Sequence, residues 1–167
     1  MIEKPDRFAQ SVTSEKLRSV YDVWKELAGG RVGPKRGEFT PAKLRRAMAW
    51  TFTVEVIDGG RDFRVGYRGD KVIQFMGERC EAPSLAVLRD TPFFAVAEDL
   101  FRRCVTSAKP LLSGPKRTHY RGKEHLEREA LLLPLSEDGV SVTGILGAFD
   151  TWQLGTHPHA TEPVLAD

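Results

Sequence analysis

Four histidines, two cysteines and one Ser-Gly step are the places where this sequence could do chemistry. His157 and His159 form an HxH pair, which can hold a transition metal once a third ligand arrives. No cysteine or acidic cluster lies nearby, so solvated imidazoles are the expectation. His119 and His125 flank a turn. Cys80 and Cys104 have 23 residues between them and sit outside any CxxC or Cys/His ligand spacing, so they read as two reduced thiols, with neither metal nor disulfide. Ser113-Gly114 is not part of a GxSxG elbow, and no GxxxxGK[ST] phosphate loop occurs. The glycine-rich run Gly29–Gly37 has no strand before it, as a dinucleotide fingerprint requires. Catalysis needs a nucleophile beside a base, or paired carboxylates on an apolar background; neither pattern occurs, so no catalytic residue is assigned.

Bulk properties narrow the classes further. Lys plus Arg number 25 against 23 Asp plus Glu, and an excess of two creates no field that argues for nucleic acid or a membrane surface. The basic residues do cluster locally, at Arg31, Lys35, Arg36, Lys43, Arg45 and Arg46. That stretch reads as a solvated face or, more sharply, as a docking patch for an acidic partner or a phosphate-bearing ligand. A nucleic-acid adaptor built on residues 31–46 would bind with steep salt dependence, and the near-zero net charge weighs against it. No apolar run approaches the ~20 residues that span a bilayer, and the first seven residues lack the apolar core of a signal peptide. A cytoplasmic protein with no membrane association is expected.

The 167 residues, 41% of them hydrophobic, suffice for one core and are few for two. Around that core the elements follow from periodicity. Residues 1–12 are polar, contain Pro5 and read as a loosely docked start. Leu17, Val20, Tyr21, Trp24, Leu27 and Ala28 make one helical stripe, opened by Thr13 or Ser14 and closed by Gly29-Gly30. Thr40-Pro41 opens a second helix containing Leu44, Ala47 and Met48. Trp50, Phe52, Val54 and Val56 alternate, as do Phe63, Val65 and Tyr67, with Asp58-Gly59-Gly60-Arg61 between them, and so predict a hairpin. Asp70 then begins a short helix that Gly77 ends, and a turn of helix follows through Leu85 and Leu88. Thr91-Pro92 starts a longer helix with Phe93, Val96, Ala97, Leu100, Phe101, Cys104 and Val105 on one face, closed by Lys109-Pro110. Strands follow over 111–120, 124–134 and 141–150. The resulting expectation is an α+β fold, a five-stranded antiparallel sheet with helices on one face. A helical extension (1–49) precedes the main domain (50–150), and a tail (151–167) follows it.

That order is the PAS order, and local motifs strengthen the likeness. Leu17–Trp24, Gly29-Gly30 with Pro34 and Arg36, Phe39-Thr40-Pro41 with Leu44, Tyr67-Arg68-Gly69 followed by Phe75-Met76-Gly77, and Leu132-Leu133-Pro134-Leu135 resemble a short, stand-alone bacterial PAS-like family common in alphaproteobacteria. The resemblance covers residues 15–150. Asp70 stands where a small hydroxyl residue is usual, and residues 78–88 lack the family's glycine-containing turn. The resemblance implies a sensory or interaction module that holds a small molecule between the long helix and the sheet and passes signals through flanking helices. It carries no histidine on the long helix for haem, Cys104 reads as core rather than an axial thiolate, and Cys80 lacks the surroundings of a flavin-adduct cysteine.

The resemblance further implies a pocket lined by Phe52, Val54, Tyr67, Phe75, Phe101, Val105 and Leu132, with Tyr67 and Arg68 as the polar groups that orient a ligand. So many large side chains suit a small apolar ligand or a filled core. The functional expectation is a signalling module without catalysis or an assigned cofactor, acting on a protein partner and pairing as a homodimer through the aromatic stripe of its first helix. The competing expectation is a small ligand-processing enzyme on a PAS-like or cystatin-like cup, which would show two titratable groups within hydrogen-bond reach inside a solvent-connected cavity.

Overall fold

The computed structural model of the protein describes residues 4–76, 92–118, 120 and 122–167. In chain order the elements are α1 (Arg7–Ser11), α2 (Glu15–Ala28), α3 (Pro41–Leu44), β1 (Thr51–Ile57), β2 (Asp62–Arg68), α4 (Asp70–Met76), α5 (Pro92–Ser107), β3 (Leu111–Arg117), β4 (Leu126–Leu135), β5 (Gly144–Gln153) and β6 (Val164–Leu165). All strand pairs are antiparallel, in the order β2-β1-β5-β4-β3-β6. This is the expected α+β architecture. The expectations placed on Gly77, on the turn through Leu85 and Leu88, and on Thr91, Cys80, His119 and Arg121 fall outside the described residues.

Local chemistry explains the main elements. The Ser14 hydroxyl accepts the Leu17 N–H at 3.1 Å to open α2, and Gly29 closes it in the left-handed region at φ 54°. In the β1–β2 turn Asp58, Gly59 and Gly60 all have positive φ, at 49°, 67° and 107°, and only a glycine-rich turn tolerates that sequence of angles. α5 is described from Pro92 onward.

Two apolar clusters sandwich the sheet. Leu17, Val20, Tyr21, Trp24 and Ala28 of α2 bury against Leu131, Leu133, Leu135 and Leu146 on one face. Ala97, Leu100, Phe101 and Cys104 of α5 bury against Val54, Leu111, Leu132 and Ile145 on the other. Helices therefore cover both faces. The stripe on α2 is buried within the chain, with the Trp24 indole N–H donating to the Pro134 carbonyl at 2.7 Å.

Two terminal segments differ from expectation. Residues 7–11 form a helical turn capped by Asp6, which accepts the Ala9 N–H at 3.1 Å; Phe8 and Val12 are buried and anchor it. Two apolar side chains in a polar stretch leave no periodicity to read. Within the supposed tail, β5 continues to Gln153 and β6 pairs with Leu111 and Leu112, satisfying the outer edge of β3. A two-residue strand likewise has no period.

Two bulges set which side chains face α5. In β2, Gly66 and Tyr67 together oppose Thr53, so that Arg68 pairs with Phe52 and shares its face. In β3, Ser113 pairs with Ala130 but Lys116 with Arg128. Three residues on one strand span two on the other, and the extra residue turns Lys116 back to the face of Ser113.

Candidate functional site

Between α5 and the sheet lies a cavity of about 70 Å³. Its wall begins with the inward side of β4, where Leu132, Ala130 and Arg128 follow one another at alternate positions. β5 adds Phe149, opposite Ala130. β1 adds Phe52, whose ring lies over Gly147: a Cβ there would meet its Cζ at 2.1 Å. Phe75 and Met76 arrive from α4, and Val96, Ala97, Leu100 and Phe101 from α5. Tyr120 also lines it, edge-on to Phe75 at 4.9 Å between ring centroids.

The sequence expectations separate on this geometry. Phe52, Phe75, Phe101 and Leu132 line the cavity. Val54 and Val105 belong to the apolar cluster beside it and not to its wall. Tyr67 is exposed, because the bulge at Gly66-Tyr67 turns it away. Arg68 is half-buried on the inward face, its Nη1 sealed from solvent without a hydrogen-bond partner among the described residues, and it does not reach the wall. Period-two reading assumed unbroken parity, which the bulge defeats.

Arg128 and Tyr120 escaped the sequence reading. Leu126-Glu127-Arg128-Glu129 looks like a solvated strand end, but alternation sends the two glutamates and the arginine to opposite faces. Burial depresses the pKa of Arg128, and among the described residues the Tyr120 phenol acts in the other direction. Its Nη1 is buried with no hydrogen-bond partner among the described residues.

On the opposite face the two glutamates are fully engaged. Glu129 is buried and accepts the N–H groups of Thr13 and Ser14 at 2.9 and 2.8 Å. Glu127 is buried and meets His157 Nδ1 at 2.7 Å and His159 Nε2 at 2.9 Å. The HxH pair is thus not two solvated imidazoles: it fastens the C-terminal segment to β4, through a carboxylate 30 residues away that local sequence could not reveal. Among the described residues no group of three His, Cys, Asp or Glu is arranged to hold a metal ion.

Cys104 is buried, donates weakly to the Lys109 carbonyl at 3.7 Å, and has its pKa pushed by burial up to about 12. It is a core thiol. In the basic region Arg31 pairs with Glu38 at 3.0 Å, whereas Lys43, Arg45 and Arg46 line an open groove beside α2. Among the described residues no helix is long and apolar enough to cross a membrane.

A family model described as PAS domain matches residues 12–149. No curated protein and no solved structure matches the chain.

Proposed function

The chain belongs to the PAS domain family of sensory modules, and from that premise we propose that it takes a small molecule into the cavity under α5 and signals by protein–protein contact, with no reaction chemistry of its own. The observation that carries this reading is the cavity itself. Its wall is aromatic and aliphatic with one cationic end, the make-up of a site that encloses a ligand and fixes its orientation with few polar groups. Among the described residues the titratable side chains on that wall are Tyr120 and Arg128, an arrangement suited to binding and short of an acid–base pair. The hydrogen-bonded Glu127, His157 and His159 stand on the far side of the sheet.

A contact chain links the cavity to the other face. Phe149 lines the cavity, Trp50 packs edge-on against it at 5.6 Å, and the Lys16 ammonium of α2 lies 3.4 Å from the Trp50 ring centroid. Lys16 also reaches Asp150 at 3.0 Å. A ligand that shifts Phe149 therefore acts on the first turn of α2, and α2 with the basic groove beside it is the surface offered to a protein partner.

Native mass spectrometry tests the ligand half of the proposal. The expected result is a noncovalent adduct on the folded protein that disappears on acid denaturation and is weakened in Ala130→Leu, which narrows the cavity. A folded protein that carries no adduct and acquires none from small aromatic or aliphatic compounds contradicts it.

A further inference from the structure

The inward side of β4 runs from apolar to cationic, Leu132, then Ala130, then Arg128, and among the described residues its cationic end holds no ion pair. Lys116 pairs with Arg128 directly across the strands, where two like charges repel. No carboxylate among the described residues forms an ion pair with either. The two glutamates flanking Arg128 in sequence point to the other face, where Glu129 holds Thr13 and Ser14 and Glu127 holds two histidines. Ser113, on the same inward face as Lys116, has a buried hydroxyl without a partner among the described residues. A buried guanidinium nitrogen without an acceptor is costly, and the bulge in β3 brings a second cation to it.

We propose, resting on the ligand-binding reading above, that this end of the cavity is an anion subsite that takes the carboxylate of a small amphiphilic acid. The guanidinium of Arg128 receives the carboxylate as a fork, the geometry in which arginine binds two oxygens together. The apolar body of the acid lies among Phe52, Phe101, Leu132 and Phe149. Lys116 adds field without contact: burial and the Arg128 charge lower its pKa, with Asp99 and Glu162 acting the other way. An anion between the two cations reverses part of that depression.

The test is a titration of the full chain with benzoate and hexanoate against their neutral amides, benzamide and hexanamide, followed by calorimetry and by methyl NMR. The expected result is tighter binding of each acid than of its amide, and in Arg128→Gln a loss of about 10- to 100-fold for the acids with the amides unchanged. Arg128→Lys, which keeps charge and loses the fork, falls between, and Lys116→Gln weakens the acids by a smaller factor. If Arg128→Gln does not fold, the narrowed acid–amide difference in Lys116→Gln and Arg128→Lys carries the same test. Acids and amides binding equally to the unaltered protein overturns the anion subsite and leaves the cavity reading standing. Failure of all four compounds to bind overturns both.

Discussion

Trp50 and Phe149 meet edge to face with their ring centroids 5.6 Å apart, so one aromatic contact joins the wall of the cavity to the residue beneath Lys16 of α2. Edge-on pairs contribute about 0.5–1.5 kcal/mol beyond their buried area. Trp50→Leu keeps an apolar side chain and removes both the pair and the cation–π contact. The expected outcome is a modest fall in the denaturation midpoint and, more telling, loss of the ligand-induced change in hydrogen exchange over the first turn of α2. Binding itself persists. An unchanged exchange response in Trp50→Leu refutes the relay.

Glu129 closes the N-terminal end of α2 from the sheet face on which that helix packs, with a buried carboxylate accepting two adjacent backbone N–H groups. The helix dipole favours an anion there. Glu129→Gln retains the shape and loses the charge, and should destabilise the fold by about 2–3 kcal/mol. Urea denaturation measures the loss, and amide exchange should quicken first at Thr13 and Ser14.

Gly147 marks where the floor of the cavity touches Phe52. A methyl group at that position would stand 2.1 Å from Cζ of the ring, so Gly147→Ala must push Phe52 into the cavity. Overpacking of this kind costs about 1–3 kcal/mol. The expected pair of results is a lower melting temperature and loss of small-molecule binding, with α2 unaffected in its exchange pattern.

Acid should loosen the C-terminal segment. Burial works to raise the pKa of Glu127, but hydrogen bonds from His157 and His159 and from the Gly155 N–H outweigh it, and the carboxyl is held below its ordinary value of 4.5. A depressed carboxylate contributes stability that is present above the unfolded-state pKa and lost as pH falls through the folded one. Denaturation midpoints measured at falling pH should therefore decline below about pH 4.5, and Glu127→Gln, less stable at neutral pH, should show a shallower acid limb. Equal acid slopes for the two proteins would remove Glu127 from the account.

Much of this architecture was legible because the helices and hairpin state their own periods. The stripe from Leu17 to Ala28 with Ser14 and Gly29 at its ends, the alternation on either side of Asp58-Gly59-Gly60, and the Pro92 start of α5 each predict a described element. The site was only half legible. Phe52, Phe75, Phe101 and Leu132 follow from element order, but Tyr67 was misplaced by one extra residue in a bulge. Arg128 was hidden by its company, since glutamates on both sides made the strand look solvated until their partners, 115 and 30 residues away in the chain, were in view. Long-range pairing is the information that period and composition do not contain.

Methyl-resolved NMR of the unaltered protein, titrated with hexanoate, tests the central claim most directly. The account predicts saturable shifts at Ala97, Leu100, Ala130 and Leu132 around the cavity, with smaller ones transmitted to α2 through Phe149 and Trp50. Shifts confined to the surface, or none at concentrations that saturate any specific site, would contradict it.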